Sequence, residues 1–302
     1  MKILMTGGTG LIGSHFINYF KDYQFTVLTR SINQAKKQLP SHVTLINSLN
    51  NLANLDQFDA VINLAGEPIN EKRWSEKQKN IIAQSRWQTT QHLTDLFAAS
   101  QAPPSVFLSG SAAGVYGHRA EEIIDETAEV QAIDYPTSLC VRWEAIAKQA
   151  QPFTRVILLR TGIVLAPKGG AMTKLLTPFK LHLGGTMGNG KQYMPWIHYQ
   201  DTVYAIDHIL QHKELSGEVN LVAPHMVTNY EFTRTLAQVL NRIAVLSLPK
   251  RLLLYIFGES ACLLLDSQRL APSKLLNSGF KFHFPNLLVA IGDLIAKPEN
   301  VT

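Results

Sequence analysis

Residues 1–13 read MKILMTGGTGLIG. A short apolar run at 2–7 enters glycines at 7, 8, 10 and 13. The segment 11–23 then carries Leu11, Phe16, Ile17 and Phe20 at helical spacing. A strand, a glycine turn and a helix in that order form the context in which TGxxGxxG binds a dinucleotide. Gly7 permits the tight turn, Gly10 lets the backbone approach a pyrophosphate, and Gly13 lets the helix pack closely on the strand. Thr9, Leu11 and Ile12 complete a loop whose free N–H groups meet the phosphates at the positive end of the helix.

Outward from this loop the chain keeps alternating. The pattern predicts strands at 25–30, 42–47, 59–66, 105–117 (with its loop) and 155–165. Helices at 31–39, 75–100 and 137–150 separate them. The strands are apolar throughout rather than at every second residue, which implies a parallel sheet covered on both faces. The expected fold class is therefore α/β, a Rossmann-type doubly wound parallel sheet. After Pro167 the sequence becomes glycine-rich and irregular, with helices expected at 200–213, 229–241 and 249–266 and a short strand at 218–223. These features divide the chain into a dinucleotide-binding domain at 1–165, with contributions from about 195–225, and a smaller C-terminal α/β substrate lobe at 166–302.

The end of the second strand selects the cofactor. An acidic residue there suits the ribose of NAD, and an arginine suits the 2′-phosphate of NADP. This chain has Thr29-Arg30 and no acid, so NADP(H) is expected. Asn63-Leu64-Ala65-Gly66 ends the fourth strand on the same edge, where small residues let a cofactor ribose lie against backbone. Ligands of such sheets bind outside the carboxyl ends of the strands.

With 302 residues, 46% hydrophobic and 17% charged, the chain has enough apolar content for a substantial core. The net charge of +5 is spread along the sequence without a basic block, which argues against nucleic-acid binding. Cys140 and Cys262 lie far apart in apolar surroundings, without metal-ligand spacing. Buried thiols in a reducing compartment are expected, and no metal. The glycine turn follows the first strand at once, which leaves no place for a signal peptide. The apolar stretch 252–265 is interrupted by Gly258, Glu259 and Ser260 and is too short to span a bilayer. A cytoplasmic protein without membrane segments is expected, and the sequence leaves a homodimer open.

TGGTGLIG, NLAG, SGSAAGVYG and WIHYQD (196–201) together resemble the short-chain dehydrogenase/reductase superfamily in its extended, sugar-nucleotide-epimerase-like branch. RW (73–74), SR (85–86), RWE (142–144), RTGIVLAPKGGAM (160–172), LGGTMGNGKQYMPWIH (183–198) and APSKLLNSGFKF (271–282) bring the chain closer to an atypical subgroup, the "epimerase family proteins", which have a C-terminal domain of unknown function. The resemblance covers nearly the whole chain and implies the fold and NADP binding. It places cofactor contacts on the glycine loop, Thr29-Arg30 and Leu64-Ala65, with Arg86 as a further contact and backbone of Val164 beside the nicotinamide.

The superfamily's serine corresponds to Ser111, or alternatively Ser109. Its tyrosine and lysine have no counterparts, because anchoring on Glu144 puts their places at Pro136 and Cys140. A catalytic tyrosine needs a nearby ammonium to lower its pKa, and Tyr135 is followed four residues on by Leu139. Arg142 is two residues beyond the lysine place, about 200° round a helix from it. Ser111 and Tyr116, on the loop after the fifth strand, are the expected substrate-oxygen ligands and the candidate catalytic residues. His198 and Asp201 belong to a segment that in the family closes near the substrate lobe. Lys191, Gln192, Tyr193 and Trp196 sit in a glycine-rich segment expected to cross the substrate cleft. Two functions remain: an NADP-dependent oxidoreductase or epimerase acting on a small polar, sugar-like metabolite, or a non-catalytic NADP(H) sensor or partner-binding protein.

Overall fold

Strand β1, Lys2–Thr6, is followed by helix α1, Leu11–Tyr19, and by β2, Gln24–Leu28, α2, Ile32–Gln38, and β3, Thr44–Ile46. After these come β4, Ala60–Asn63, α3, Glu76–Ala98, β5, Val106–Ala112, the two-residue β6, Ile123–Ile124, α4, Tyr135–Lys148, and β7, Arg155–Thr161. The remaining strands are β8, Ile163–Leu165, β9, Gly185–Met187, β10, Tyr193–Met194, β11, Trp196–His198, β12, Gly217–Leu221, β13, Val227–Thr228, β14, Leu246–Leu248, and β15, Arg269–Leu270. The remaining helices are α5, Gly170–Lys180, α6, Tyr199–Gln211, α7, Asn229–Val239, α8, Lys250–Phe257, α9, Cys262–Leu265, α10, Ser273–Asn277, and α11, Leu287–Ala296. This computed structural model describes residues 1–181 and 183–296. Position 182 and the end of the C-terminal lobe, 297–302, lie outside the described residues.

Seven strands form one sheet in the order β12-β7-β5-β4-β1-β2-β3, and every pairing in it is parallel. The expected doubly wound α/β sheet is present. Its order reverses between β1 and β4, the switch point at which such sheets bind ligands. Alternate residues feed two cores. Ile3, Met5, Ile62, Leu108 and Ile157 meet α1 and α6 through Phe16, Ile17 and Ile206. Leu4, Val61, Phe107 and Leu158 meet α3 and α4 through Leu93, Phe97 and Ala147 on the other face. That double burial explains strands without polar alternation.

A third core joins α5, α7 and α11, with Met172, Phe179, Phe232, Leu236 and Ile291. Trp196 belongs to it, with its indole N–H donating to the His225 carbonyl at 2.9 Å. His198 and Asp201 fasten the C-terminal segment to this layer. Asp201 accepts the backbone N–H groups of His283 at 2.8 Å and Phe284 at 2.9 Å, and the His198 ring lies 3.8 Å from that of Phe284.

Three elements differ from the sequence expectation. The strand expected over 155–165 is broken at Gly162, where a Cβ would lie 2.8 Å from the Pro195 carbonyl oxygen. The helix expected over 249–266 is broken at Gly258, whose φ of +62° ends α8. Helix α4 begins at Tyr135 rather than 137. Asp134 caps it by accepting the Thr137 N–H at 2.9 Å, and Pro136 falls in the first turn, where no N–H is needed.

Candidate active site

The loop between β1 and α1 is shaped by contacts that exclude side chains. A Cβ on Gly7, at φ +72°, would lie 2.6 Å from the Leu64 carbonyl, and one on Gly13 would lie 2.5 Å from the Gly7 carbonyl. These two glycines seat the loop on β4 and the helix on the loop. Gly10 differs: a Cβ there would meet only the Gly7 oxygen within 4 Å, at 3.2 Å. Its outer side is open. Gly10 is the N-cap of α1 and provides no side-chain cap. The first helical bond is donated by Ser14 N–H to Gly10 C=O, so the amides of Leu11, Ile12 and Gly13 precede it and have no intrahelical acceptor. Thr9 is exposed on the same loop. A diphosphate fits this arrangement of free donors and a positive helix end.

The neighbouring strand ends suit the rest of a dinucleotide. Leu64 N–H donates to the Thr6 carbonyl at 3.1 Å and Ala65 N–H to Thr6 Oγ1 at 3.2 Å, holding β4's end beside the loop. Thr29 is tied to Ser31, whose N–H donates to its hydroxyl at 3.3 Å. The Arg30 side chain beyond it is 96% exposed, with Glu67 as a distant partner at 3.9 Å. Arg86 packs its guanidinium on Gly66, where a Cβ would lie 2.8 Å from it, and donates Nη1 to the Glu67 and Ile82 carbonyls at 3.0 Å each. Burial lowers its pKa.

A cavity of about 620 Å³ opens beside this loop. Leu11, the first residue of α1, and Val164, in β8, are both in its wall. So are Ala112, at the end of β5, and Pro136 and Cys140, one turn apart on α4. The two places that the family resemblance gives to a tyrosine and a lysine hold a pyrrolidine ring and a thiol. Burial pushes the Cys140 thiol up to about 12, so it is neutral at pH 7.

The Tyr135 hydroxyl turns away to α3 and donates to the Lys79 carbonyl at 2.9 Å, while its ring packs edge-on against Trp74. Burial pushes its pKa up to about 12. The Arg142 guanidinium lies 4.2 Å from the centre of the Trp87 ring, on the outer face of α4. The glycine-rich segment does border the cavity, through Gly185, Met187 and Tyr193. Gln192, in contrast, is buried with its amide donating to the Met187 and Leu264 carbonyls at 2.9 and 3.0 Å, and Lys191 points to solvent.

Ser111 and Tyr116 are not among the residues that line the cavity. Both hydroxyls are buried in one network rather than presented to the cavity. Ser111 Oγ donates to Glu144 Oε1 at 2.7 Å. Arg160 grips the same carboxylate with Nε at 2.9 Å and Nη2 at 2.8 Å, and donates Nη1 to Tyr116 Oη at 3.0 Å. Tyr116 in turn donates to Asn220 Oδ1 at 2.8 Å. The alternative, Ser109, is fully buried behind the sheet edge, with Asn63 donating to it at 3.5 Å. On β5 the residue at the cavity is Ala112. The reason is strand alternation plus the pull of a buried ion pair. Arg160 and Glu144 were missed as its centre, although RWE and the Arg beginning RTGIVL stood out in the sequence.

The family follows from comparison of this chain with known proteins. The model of the NAD dependent epimerase/dehydratase family matches residues 3–223, and that of a domain of unknown function matches 248–294. The chain belongs to the NAD-dependent epimerase/dehydratase family. An epimerase family protein of Staphylococcus haemolyticus is 35% identical to this family member over 297 residues, covering 97% of this chain and 99% of the relative. The crystal structure of a human epimerase family protein with NADPH superposes with a TM-score of 0.89 at 32% identity, covering all of both chains. A nucleoside-diphosphate sugar epimerase of Corynebacterium glutamicum gives a TM-score of 0.75 at 27% identity, over 98% of this chain and 57% of that one.

Proposed function

We propose that this chain is an NADP(H)-dependent oxidoreductase or epimerase acting on a small molecule held in the cavity beside Leu11 and Val164. One observation carries the reading: Leu11 is at once the first residue of the phosphate-facing helix and part of the cavity wall. In this reading residues 1–165, with 195–225, bind the cofactor, and 166–302 form the substrate lobe. Gly7, Thr9, Gly10, Leu11, Ile12 and Gly13 hold the pyrophosphate, and Thr29 and Arg30 the adenosine phosphate. Leu64, Ala65 and Gly66 border a ribose, Arg86 stands behind them, and Val164 offers backbone to the nicotinamide. The NADPH-bound human relative and the open side of Gly10 support this assignment.

The cofactor, when bound, supplies or accepts a hydride. The chain's own part is to enclose the second ligand, exclude water with an apolar wall, and hold a proton on Cys140 Sγ. Ser111 and Tyr116 act at one remove, by fixing Glu144 and Arg160 behind the end of β5. The absence of the Tyr-x-x-x-Lys pair from α4, where Pro136 and Cys140 stand in the wall, favours a second reading, a non-catalytic NADP(H) sensor or partner-binding protein. Assaying NADPH oxidation against a panel of aldehydes, ketones and enones separates the two. Turnover supports the first, and ligand-dependent change in NADPH affinity without turnover supports the second. Among the described residues no helix is long and apolar enough to cross a membrane. We place the protein in the cytoplasm, where its two free thiols stay reduced; light scattering tests for a homodimer.

Two outcomes follow. NADPH binds about tenfold to a hundredfold more tightly than NADH, the effect of one charge-assisted phosphate contact to Arg30. Arg30→Glu removes or reverses the preference in calorimetry, and equal dissociation constants in the unaltered protein contradict the assignment. Tyr135→Phe leaves NADPH oxidation within a few-fold, because its hydroxyl serves Lys79, whereas loss of a general acid costs about a hundredfold or more. A thousandfold loss at unchanged NADPH affinity restores Tyr135 to the chemistry.

A further inference from the structure

The wall of the cavity is made of side chains that suit hydrocarbon, not sugar. It is bounded by Met194 and Phe232 and by Leu253, Phe257 and Leu263 of the C-terminal helices. The charged side chains on the wall are Asp134, Asp266 and Lys174. Lys174 Nζ already donates to the Asn70 carbonyl at 2.6 Å. Asp134 is occupied in capping α4, and burial raises the pKa of Asp266. Two of the neutral polar side chains, Asn229 and Gln268, are engaged as well. Asn229 accepts the Met187 N–H at 2.8 Å and donates to Met194 Sδ at 3.2 Å, and Gln268 donates to the Gly117 carbonyl at 3.2 Å.

A nucleoside diphosphate sugar brings two negative charges and many hydroxyls. Here its two negative charges meet two carboxylates and a single lysine. Buried charge without a counter-charge is strongly disfavoured, and unpaired hydroxyls are disfavoured for the same reason. An uncharged apolar ligand meets no such penalty, and a space of this size holds a drug-sized molecule. The rim points the same way. Phe257 is in the wall yet 40% exposed, and Leu254, Tyr255 and Ile256 beside it on α8 face solvent. Apolar surface therefore continues from the cavity to the outside of the protein.

We infer that the second ligand of this site is an uncharged, largely apolar molecule bearing a single carbonyl group, not a nucleotide sugar. The inference rests on the cofactor reading for the carbonyl and on the wall for the rest. The carbonyl end lies at Ala112 and Cys140 beside the cofactor, and the hydrocarbon end under α8 and α9.

The test is a fluorescence titration of the full chain with N-phenyl-1-naphthylamine, with and without NADPH, followed by competition. A homologous series of 2-alkanones should displace the dye with affinity rising about fourfold per methylene until the cavity is full. Millimolar UDP-glucose should not displace it. Phe257→Glu, at the half-exposed rim, should weaken dye binding by about tenfold or more, an effect on the scale of losing one buried aromatic contact. Tyr255→Glu, on the outer face, should leave it within about twofold, as expected for a residue outside the wall. A dye that does not saturate, a flat ketone series, displacement by UDP-glucose, or loss in Tyr255→Glu rather than Phe257→Glu overturns the inference. The NADPH melting shift is read in parallel. A normal shift with failed dye binding sinks the apolar ligand alone. A missing shift with the dye and ketone results intact sinks the cofactor reading and leaves the apolar site standing.

Discussion

Glu144→Ala lowers the unfolding free energy by about 3–5 kcal/mol, the usual cost of leaving one partner of a buried ion pair alone. The carboxylate and Arg160 are only 4% and 3% exposed and meet at 2.8 Å. Ser111 donates to the same oxygen as Arg160 Nε, and Tyr116 and Asn220 extend the chain of bonds. Truncation leaves a guanidinium in the sheet edge with one remaining strong acceptor nearby, Glu218 at 3.8 Å. Replacing both partners by apolar residues, as in Glu144→Leu with Arg160→Met, costs less than the single change, because no charge is stranded. Urea unfolding at 25 °C measures both. A loss below about 1 kcal/mol in the single variant contradicts the buried pair, since that is the size of an exposed one.

Gly10→Val abolishes NADPH binding while the fold persists. A Cβ at Gly10 meets only the Gly7 carbonyl oxygen, at 3.2 Å, so a small local shift admits a valine, whose side chain occupies the space of the pyrophosphate. Ligand at a hundred times its dissociation constant adds about 2.7 kcal/mol of stability, and the variant loses that gain. Gly13→Val is the contrasting case. Its Cβ would stand 2.5 Å from the Gly7 carbonyl and 2.7 Å from Gly8 Cα, so the protein is destabilised with or without NADPH. Thermal melting with and without cofactor separates the two. A wild-type shift in Gly10→Val removes the loop from the phosphate site.

The difference between these glycines shows what a sequence makes legible. TGGTGLIG signals its geometry as a pattern: Gly13 answers the Gly7 carbonyl within the loop, while Gly7 answers Leu64 on β4. The apolar strands announced a doubly covered sheet for a similar reason: burial on both faces leaves no polar positions. Pro136 and Cys140, which the family resemblance puts at the tyrosine and lysine places, both line the cavity.

The direction of Ser111 was not legible. It depends on Arg160 and Glu144, which approach it from another strand and from α4. The cavity was equally hidden. Its wall joins Leu11, Cys140, Phe232 and Phe257, spread over almost the whole chain, and no single stretch reads as apolar pocket rather than core. Gly258 ends α8, though a helix through 249–266 was the natural reading of an apolar run.

A crystal structure of the NADPH complex tests the central claim most directly. The expected density places the pyrophosphate over Gly10 and the first-turn amides of α1, the 2′-phosphate at Arg30, and the nicotinamide beside Val164 with its reactive C4 facing the cavity at Cys140. NADPH bound elsewhere, or a nicotinamide separated from that cavity by protein, contradicts it.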